Sequence, residues 1–415
     1  MKKLDAALPL LLLSAFTFSA CIGFVENPNA VTSKGNYAPF SAPGSLKAAF
    51  GTAHARPRYN PHGAIQTAFL DGAKDAYNLG LQTLKIWIGP EVKDPSFYFL
   101  STSEFAHFTD FASALDLPSY KAVLAIPFKT VIITADDVTA WTMANTPLTQ
   151  TDKDRIYKSM YDFALRLRHD YAGTGRTFVI QNHEGDWHID PTGHPDQKND
   201  PNAIGLENFR TYWTLRQRAI NNAKNATPSD VKVYHMCEVV RVVASVERNA
   251  PSLTRDVLPT VTCDLVGYSA YDSSLRSTAT FEKALAYIRS KALPSPAFGT
   301  NQVAVSEIGL PERSPNFSAA KKSELASLIV SLVDRGLPYV IFWTLYDNEC
   351  DLPGCIQQGG ITSNVSLDHL RGYYIRRPDG SFGEIFSQMM GALAVNPNTP
   401  PNTPPNTPPN TPPNT

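Results

Sequence analysis

Between residues 47 and 394 the chain alternates short apolar runs with longer amphipathic ones. The short runs, in order, are Ala48–His54, Thr83–Gly89, Thr130–Ala135, Thr177–Asn182, Lys232–Cys237, Asp264–Ala270, Gln302–Glu307 and Tyr339–Leu345. Their middles are near-continuously hydrophobic. A strand with one wet face would alternate polar and apolar residues, whereas a parallel strand covered on both faces need not. The eight runs therefore read as buried parallel strands.

The segments between them carry helical spacing. Asp154–Tyr171 places Ile156, Met160, Phe163, Leu167 and Tyr171 on one stripe, and Ser323–Arg335 places Leu325, Leu328, Ile329 and Leu332 on another, with Gly336 as a stop. Leu206–Asn222 and Phe281–Ala292 behave alike, and Gly380–Ala394 supplies a last helix. Eight β-then-α units predict an α/β fold, a (β/α)8 TIM barrel forming one domain over residues 47–395. The competing doubly wound sheet would carry a G-x-G-x-x-G fingerprint after its first strand, and none is there.

Composition adds exclusions. The chain has 415 residues, 43% of them hydrophobic, and a formal net charge of −1. No basic stripe marks a nucleic-acid partner.

The two ends read differently from the barrel. Lys2 and Lys3 precede an apolar run, Ala6–Ala20, of signal-peptide length. Phe18-Ser19-Ala20-Cys21 resembles a bacterial lipobox, with Phe18 where leucine is usual. Residues 1–21 are thus expected to be a lipoprotein-type signal with Cys21 as the lipidated residue, and residues 22–46 a linker. Ile22 after Cys21 is not the aspartate that retains lipoproteins in the inner membrane. The expected location is the cell envelope through a lipid anchor, at the outer membrane in a Gram-negative cell, the alternative being plain secretion. Residues 396–415 are built on a Pro-Pro-Asn-Thr repeat with no apolar surface to bury, which predicts a solvated tail. Of the other cysteines, Cys350 and Cys355 share one Gly/Pro-containing loop and are expected to form a local disulfide, while Cys237 and Cys263 read as buried thiols.

The chemistry-bearing strings lie at strand ends. Gln181-Asn182-His183-Glu184-Gly185-Asp186-Trp187 follows the fourth strand, and Val305-Ser306-Glu307-Ile308-Gly309 ends the seventh. By element order the chain resembles the clan A glycoside hydrolases, retaining enzymes on a TIM barrel with an acid/base after strand 4 and a nucleophile after strand 7. The strand-7 string matches the clan's apolar-x-Glu-aliphatic-Gly pattern. The strand-4 string departs from it, because His183 stands where the clan places asparagine directly before the glutamate. Strand alternation puts Asn182 and Glu184 on one face and His183 on the other, leaving open whether His183 or another residue meets the sugar 2-hydroxyl.

The resemblance implies a carbohydrate substrate, no cofactor and no metal. Glu184 becomes the acid/base, protonated beside Trp187 and a second carboxylate, and Glu307 the ionised nucleophile. Tyr271 resembles the clan's tyrosine that donates to the nucleophile. Lys85 or Arg56 takes the place of its strand-2 arginine. Trp343 resembles the sugar-platform tryptophan. Trp87, Trp187 and Trp343 all fall at C-terminal strand ends, where barrel sites are built and a flat indole can stack on a pyranose. His54, ending the first strand, is expected to bond a subsite, the alternative being a satisfied core histidine. Two rivals stay open: a non-catalytic glycan-binding barrel, motivated by the altered strand-4 string, and a metal-dependent barrel hydrolase using the cluster His183, Glu184, Asp186 and His188.

Overall fold

The computed structural model describes residues 46–90, 94–136, 140–192, 199–351 and 363–395. The expected signal segment with Cys21, the linker before residue 46, Cys355 and the repeat tail lie outside the described residues.

Eight parallel strands close into a barrel: β1 Phe50–Ala53, β2 Thr83–Trp87, β3 Thr130–Thr134, β4 Thr177–Gln181, β5 Lys232–Val239, β6 Leu265–Ser269, β7 Val303–Ile308 and β8 Val340–Phe342. β1 closes the ring on β8, pairing Gly51 with Ile341. A helix packs after each strand: α1 Ala68–Asn78, α2 Pro118–Leu124, α3 Gln150–Asp170, α4 Ala203–Ala226, α5 Val242–Arg248, α6 Thr278–Lys291, α7 Ala319–Asp334 and α8 Glu384–Leu393. The fold is the expected (β/α)8 TIM barrel.

The helices form for local reasons. Thr149 caps α3 in a reciprocal box with Asp152, and Ser277 and Ser318 cap α6 and α7 by accepting backbone N–H groups. Each helix buries its apolar stripe on the barrel. Ile156, Met160, Phe163 and Leu167 do so on α3, and Leu325, Leu328, Ile329 and Leu332 on α7. The two ends of the described barrel meet where Lys47 N–H donates to Leu393 C=O (2.9 Å).

Two features depart from expectation. β5 runs on to Val239, pairing Glu238 with Gly267 and Val239 with Tyr268, so Glu238 belongs to the ladder. Cys237 and Cys263 are joined in a disulfide with 6.2 Å between Cα atoms, which corrects their reading as free thiols. Parallel pairing of β5 with β6 brings Cys237 alongside the residues just after Cys263, so two cysteines 26 residues apart meet. Cys350 is also disulfide-bonded; its expected partner Cys355 lies outside the described residues.

The register of β7 slips against both neighbours. Tyr268 pairs with Val305 but Ser269 with Glu307, so Ser306 is the extra residue of a bulge. Bulges at barrel rims re-aim the side chain beside them, here Glu307. Gly309 is required immediately after, because a Cβ there would sit 2.4 Å from the Trp343 carbonyl oxygen.

Candidate active site

Four charged side chains converge at the C-terminal mouth of the barrel: Lys85 from β2, Glu184 just past β4, Glu238 from β5 and Glu307 from β7. Lys85 Nζ lies 2.6 Å from Glu307 Oε1 and 3.3 Å from Glu238 Oε1, with all three side chains buried. It also donates to the Ser306 carbonyl at 3.3 Å. Lys85 is therefore the cation of the site. Arg56 lies over the Phe97 ring at 4.9 Å, beside Asp94, with its side chain about half exposed.

Glu184 is held in a different way. β4 ends at Gln181, and Glu184, three residues on, adopts a left-handed backbone (φ 31°, ψ 62°). Its N–H donates to Glu238 Oε2 at 2.5 Å, and its Oε1 accepts from Ser269 Oγ at 2.6 Å. The Trp187 side chain also bonds it.

Burial, and then the negative charge of Glu238, push the Glu184 carboxyl up to about 7. Burial raises Glu307 to about 7 as well, with Lys85 pulling down and Glu238 and Glu184 pushing up. Burial alone would raise Glu238, but Lys85 and the donors around it hold it below the usual range. Glu238 is thus the ionised partner of Lys85. Burial thus raises both Glu184 and Glu307, and the Lys85 ammonium opposes it most directly at Glu307.

The surrounding aromatics form one wall. Trp87 packs edge-on against Trp343 (centroids 5.7 Å) and against His183 (6.1 Å), and Lys85 Nζ sits 4.9 Å from the Trp87 ring. The Trp343–Thr344 peptide is cis. His183 is the more open member, its side chain 40% exposed and its Nε2 3.8 Å from Glu184 Oε2. Asp136 holds it by accepting the His183 N–H at 2.7 Å.

Several sequence expectations need correction. Asn182 does not enter the site. Its Oδ1 accepts from Trp213 Nε1 (2.9 Å) and from the Glu238 N–H (3.1 Å), and its Nδ2 donates to the Glu238 carbonyl (3.2 Å). Alternation was extended past the end of the ladder: Gln181 faces inward, donating to Glu238 Oε1 (2.9 Å), Asn182 faces α4, and the left-handed turn then brings Glu184 inward beside His183. His54 is a core histidine. Its Nε2 contacts the Ala68 carbonyl at 2.9 Å, and a Cβ on Gly72 of α1 would lie 2.4 Å from its ring. Tyr271 begins the turn after β6, but its buried hydroxyl has no hydrogen-bond partner among the described residues. The donor to Glu307 is Lys85. Tyr271 nonetheless faces both Glu307 and Glu184 electrostatically and packs edge-on against Tyr373 at 6.4 Å.

Nor, among the described residues, do the metal-capable side chains after β4 come together as a ligand group. Both Asp186 oxygens are used by backbone donors, Leu253 N–H on Oδ1 (2.9 Å), Val240 N–H (3.0 Å) and Arg241 N–H on Oδ2, and His188 turns towards Asp136 (3.9 Å). Among the described residues His235, Cys237 and Cys263 have metal-capable atoms within 4.8 Å of one another, but the disulfide uses both sulfurs.

Sequence reading missed Glu238, Ser269 and Asp136. Glu238 had a signal: a lone acid inside the apolar run Met236-Cys237-Glu238-Val239-Val240, where an unpaired charge would be prohibitive. Ser269 and Asp136 had none.

No protein-family model matches the chain. No curated protein matches it either. Among solved structures it is similar to a GH5_18 protein of Streptomyces cattleya in complex with Manb1-4GlcNAc, at 14% identity and a TM-score of 0.50, over 83% of this chain and 80% of that one. It is also similar to GH5_18 from the same organism in complex with GlcNAc, at 12% identity and a TM-score of 0.50, over 84% and 80%. At such identities the likeness is one of fold, and the fold this chain shares with those glycoside hydrolases is the TIM barrel.

Proposed function

We propose that the protein is a retaining glycoside hydrolase that cleaves an O-glycosidic bond of an oligo- or polysaccharide, with Glu184 as acid/base and Glu307 as nucleophile. The observation that carries this reading is the unequal support of the two carboxyls. Glu307 is paired with a buried lysine at 2.6 Å, whereas Glu184 accepts from the neutral donors Ser269 and Trp187, has His183 Nε2 no nearer than 3.8 Å, and feels the charge of Glu238. Of the two, Glu184 is the better proton holder. The chemistry follows from that split. Protonated Glu184 gives its proton to the leaving oxygen while ionised Glu307 attacks the anomeric carbon. Glu184, now a carboxylate, takes a proton from the water that releases the sugar. Glu184 acts on Glu307 electrostatically; retention requires the two carboxyls to stand about 5–5.5 Å apart. The Trp87–Trp343 wall offers indole surface to a pyranose, and His183 a polar contact beside the acid.

The structurally similar protein crystallised with Manb1-4GlcNAc makes that disaccharide the first probe, followed by aryl β-glycosides and plant and microbial polysaccharides. Turnover by wild type, lost about 10⁴-fold or more in Glu307→Gln, is the expected result. Full activity in Glu307→Gln would overturn the assignment. Oligosaccharide binding with no turnover of any substrate would favour the non-catalytic glycan-binding barrel. Export and anchoring through Cys21 belong to the same proposal; incorporation of a labelled fatty acid that Cys21→Ala abolishes would support them.

A further inference from the structure

The Glu238 carboxylate accepts three hydrogen bonds within the site, and the proposed reaction gives it no step. It is fully buried. Oε1 receives Lys85 Nζ and Gln181 Nε2, and Oε2 receives the Glu184 N–H. Every group on those oxygens is a donor, so an acceptor-only carboxylate fits there and an amide does not. Its backbone is engaged as well, because its N–H and C=O both bond the Asn182 amide. One residue of β5 thus grips three of the four residues from Gln181 to Glu184. The charged and titratable groups around it are Lys85 from β2, His183, Glu184 and His188 after β4, and Glu307 from β7.

We propose that Glu238 is a positioning residue that couples the two reacting carboxylates: one oxygen holds the left-handed turn that aims Glu184, and the other competes with Glu307 for Lys85. The inference rests on the glycosidase reading for its kinetic consequence, but not for its electrostatic one. A left-handed backbone at a non-glycine residue is strained and persists only where its surroundings fix it. The charge-assisted bond from the Glu184 N–H supplies that constraint. The competition for Lys85 works on Glu307. With Glu238 present, one ammonium serves two buried carboxylates. With its charge removed, Lys85 serves Glu307 alone.

The test uses Glu238→Gln and Glu238→Asp in the full-length protein, with unfolding curves to establish that each folds. Carboxyl carbons of labelled glutamate are titrated by NMR, with Glu184 and Glu307 identified through their glutamine variants. This needs no substrate. In Glu238→Gln both carboxyls lose a repelling charge, so both midpoints should move to lower pH, by about one unit or more. Midpoints unchanged from wild type would overturn the coupling. On a turned-over glycoside, the same variant should show a pH–rate bell displaced to lower pH and kcat down about 100-fold, as expected for a misaimed acid, with KM within about threefold of wild type. A loss carried by KM alone would overturn the positioning role. If Glu238→Gln does not fold, Glu238→Asp decides. It keeps the charge but, one methylene shorter, cannot reach both Lys85 and the Glu184 N–H. Its midpoints should stay near wild type while kcat falls about tenfold, and a kcat equal to wild type would overturn the proposal. A protein that hydrolyses no glycoside sinks the glycosidase reading, and the titration still decides the coupling.

Discussion

The two carboxyls at the barrel mouth come from opposite kinds of backbone. Glu307 sits within β7, one residue past a bulge, and pairs with a lysine whose own strand fixes it. Glu184 sits three residues beyond β4 in a left-handed turn, and what fixes it comes from neighbouring elements: Glu238 on β5, Ser269 on β6 and Trp187 beyond the turn. A group inside a ladder has its direction dictated by the strand, here by alternation and the bulge at Ser306. A group past the ladder takes its direction from whatever captures it. The difference also sorts the electrostatics. Both carboxyls are buried and both feel Glu238, but only the ladder residue has the lysine against it, which suits it to give up its proton and the captured residue to hold one.

The largest effect should come from breaking the β7 side. Lys85→Met leaves Glu238 and Glu307 buried without their cation. A cost of about 3–5 kcal/mol in stability is expected from urea unfolding. Activity at pH 7 should fall about 10²–10³-fold. Without the lysine charge the Glu307 carboxyl rises, so the acidic limb of the pH–rate profile should move to higher pH. A limb that stays in place would mean that Lys85 does not tune Glu307.

The β4 side separates into scaffold and contact. Asn182→Ala orphans the Trp213 Nε1–H and the Glu238 N–H, both buried, and should cost about 2–4 kcal/mol of stability. His183→Ala should leave stability within about 0.5 kcal/mol. It should lower kcat/KM about tenfold through one lost polar contact. If His183→Ala proved the destabilising change and Asn182→Ala the kinetic one, the facing of this segment would be wrong.

A smaller effect on stability than that of Asn182→Ala is tied to pH. The Glu184 carboxyl is raised from 4.5 to about 7 in the folded protein. Its contribution is full below the unfolded value and is lost as pH rises towards 7, because the folded state then holds a proton that the unfolded state has released. Glu184→Gln removes this loss. It should match wild type near pH 4 and exceed it by about 1–3 kcal/mol at pH 8. Equal stability at both pH values would mean that Glu184 is not held protonated by burial.

The same contrast governs what the sequence could reveal. All eight strands were legible because buried parallel strands are apolar throughout, and Glu307 was legible because it lies inside one. Asn182, His183 and Glu184 were assigned to faces by extending alternation beyond Gln181, where the ladder stops. Glu238 was missed because β5 was ended at Cys237, one residue short of the charge that organises the site. The Cys237–Cys263 disulfide depends on the pairing of β5 with β6, which spacing alone does not encode. His54 ends β1 with its side chain against α1, a direction that no local pattern gives.

The central claim, that Glu307 attacks the sugar and Glu184 serves as its acid, is most directly tested by trapping. Wild type would be incubated with an activated 2-deoxy-2-fluoro glycoside of the sugar it turns over, then digested and mapped by mass spectrometry. The account predicts one fluorosugar adduct, on the peptide carrying Glu307, absent from Glu307→Gln and still formed in Glu184→Ala. An adduct on any other residue, or none while turnover of the parent glycoside continues, would contradict it.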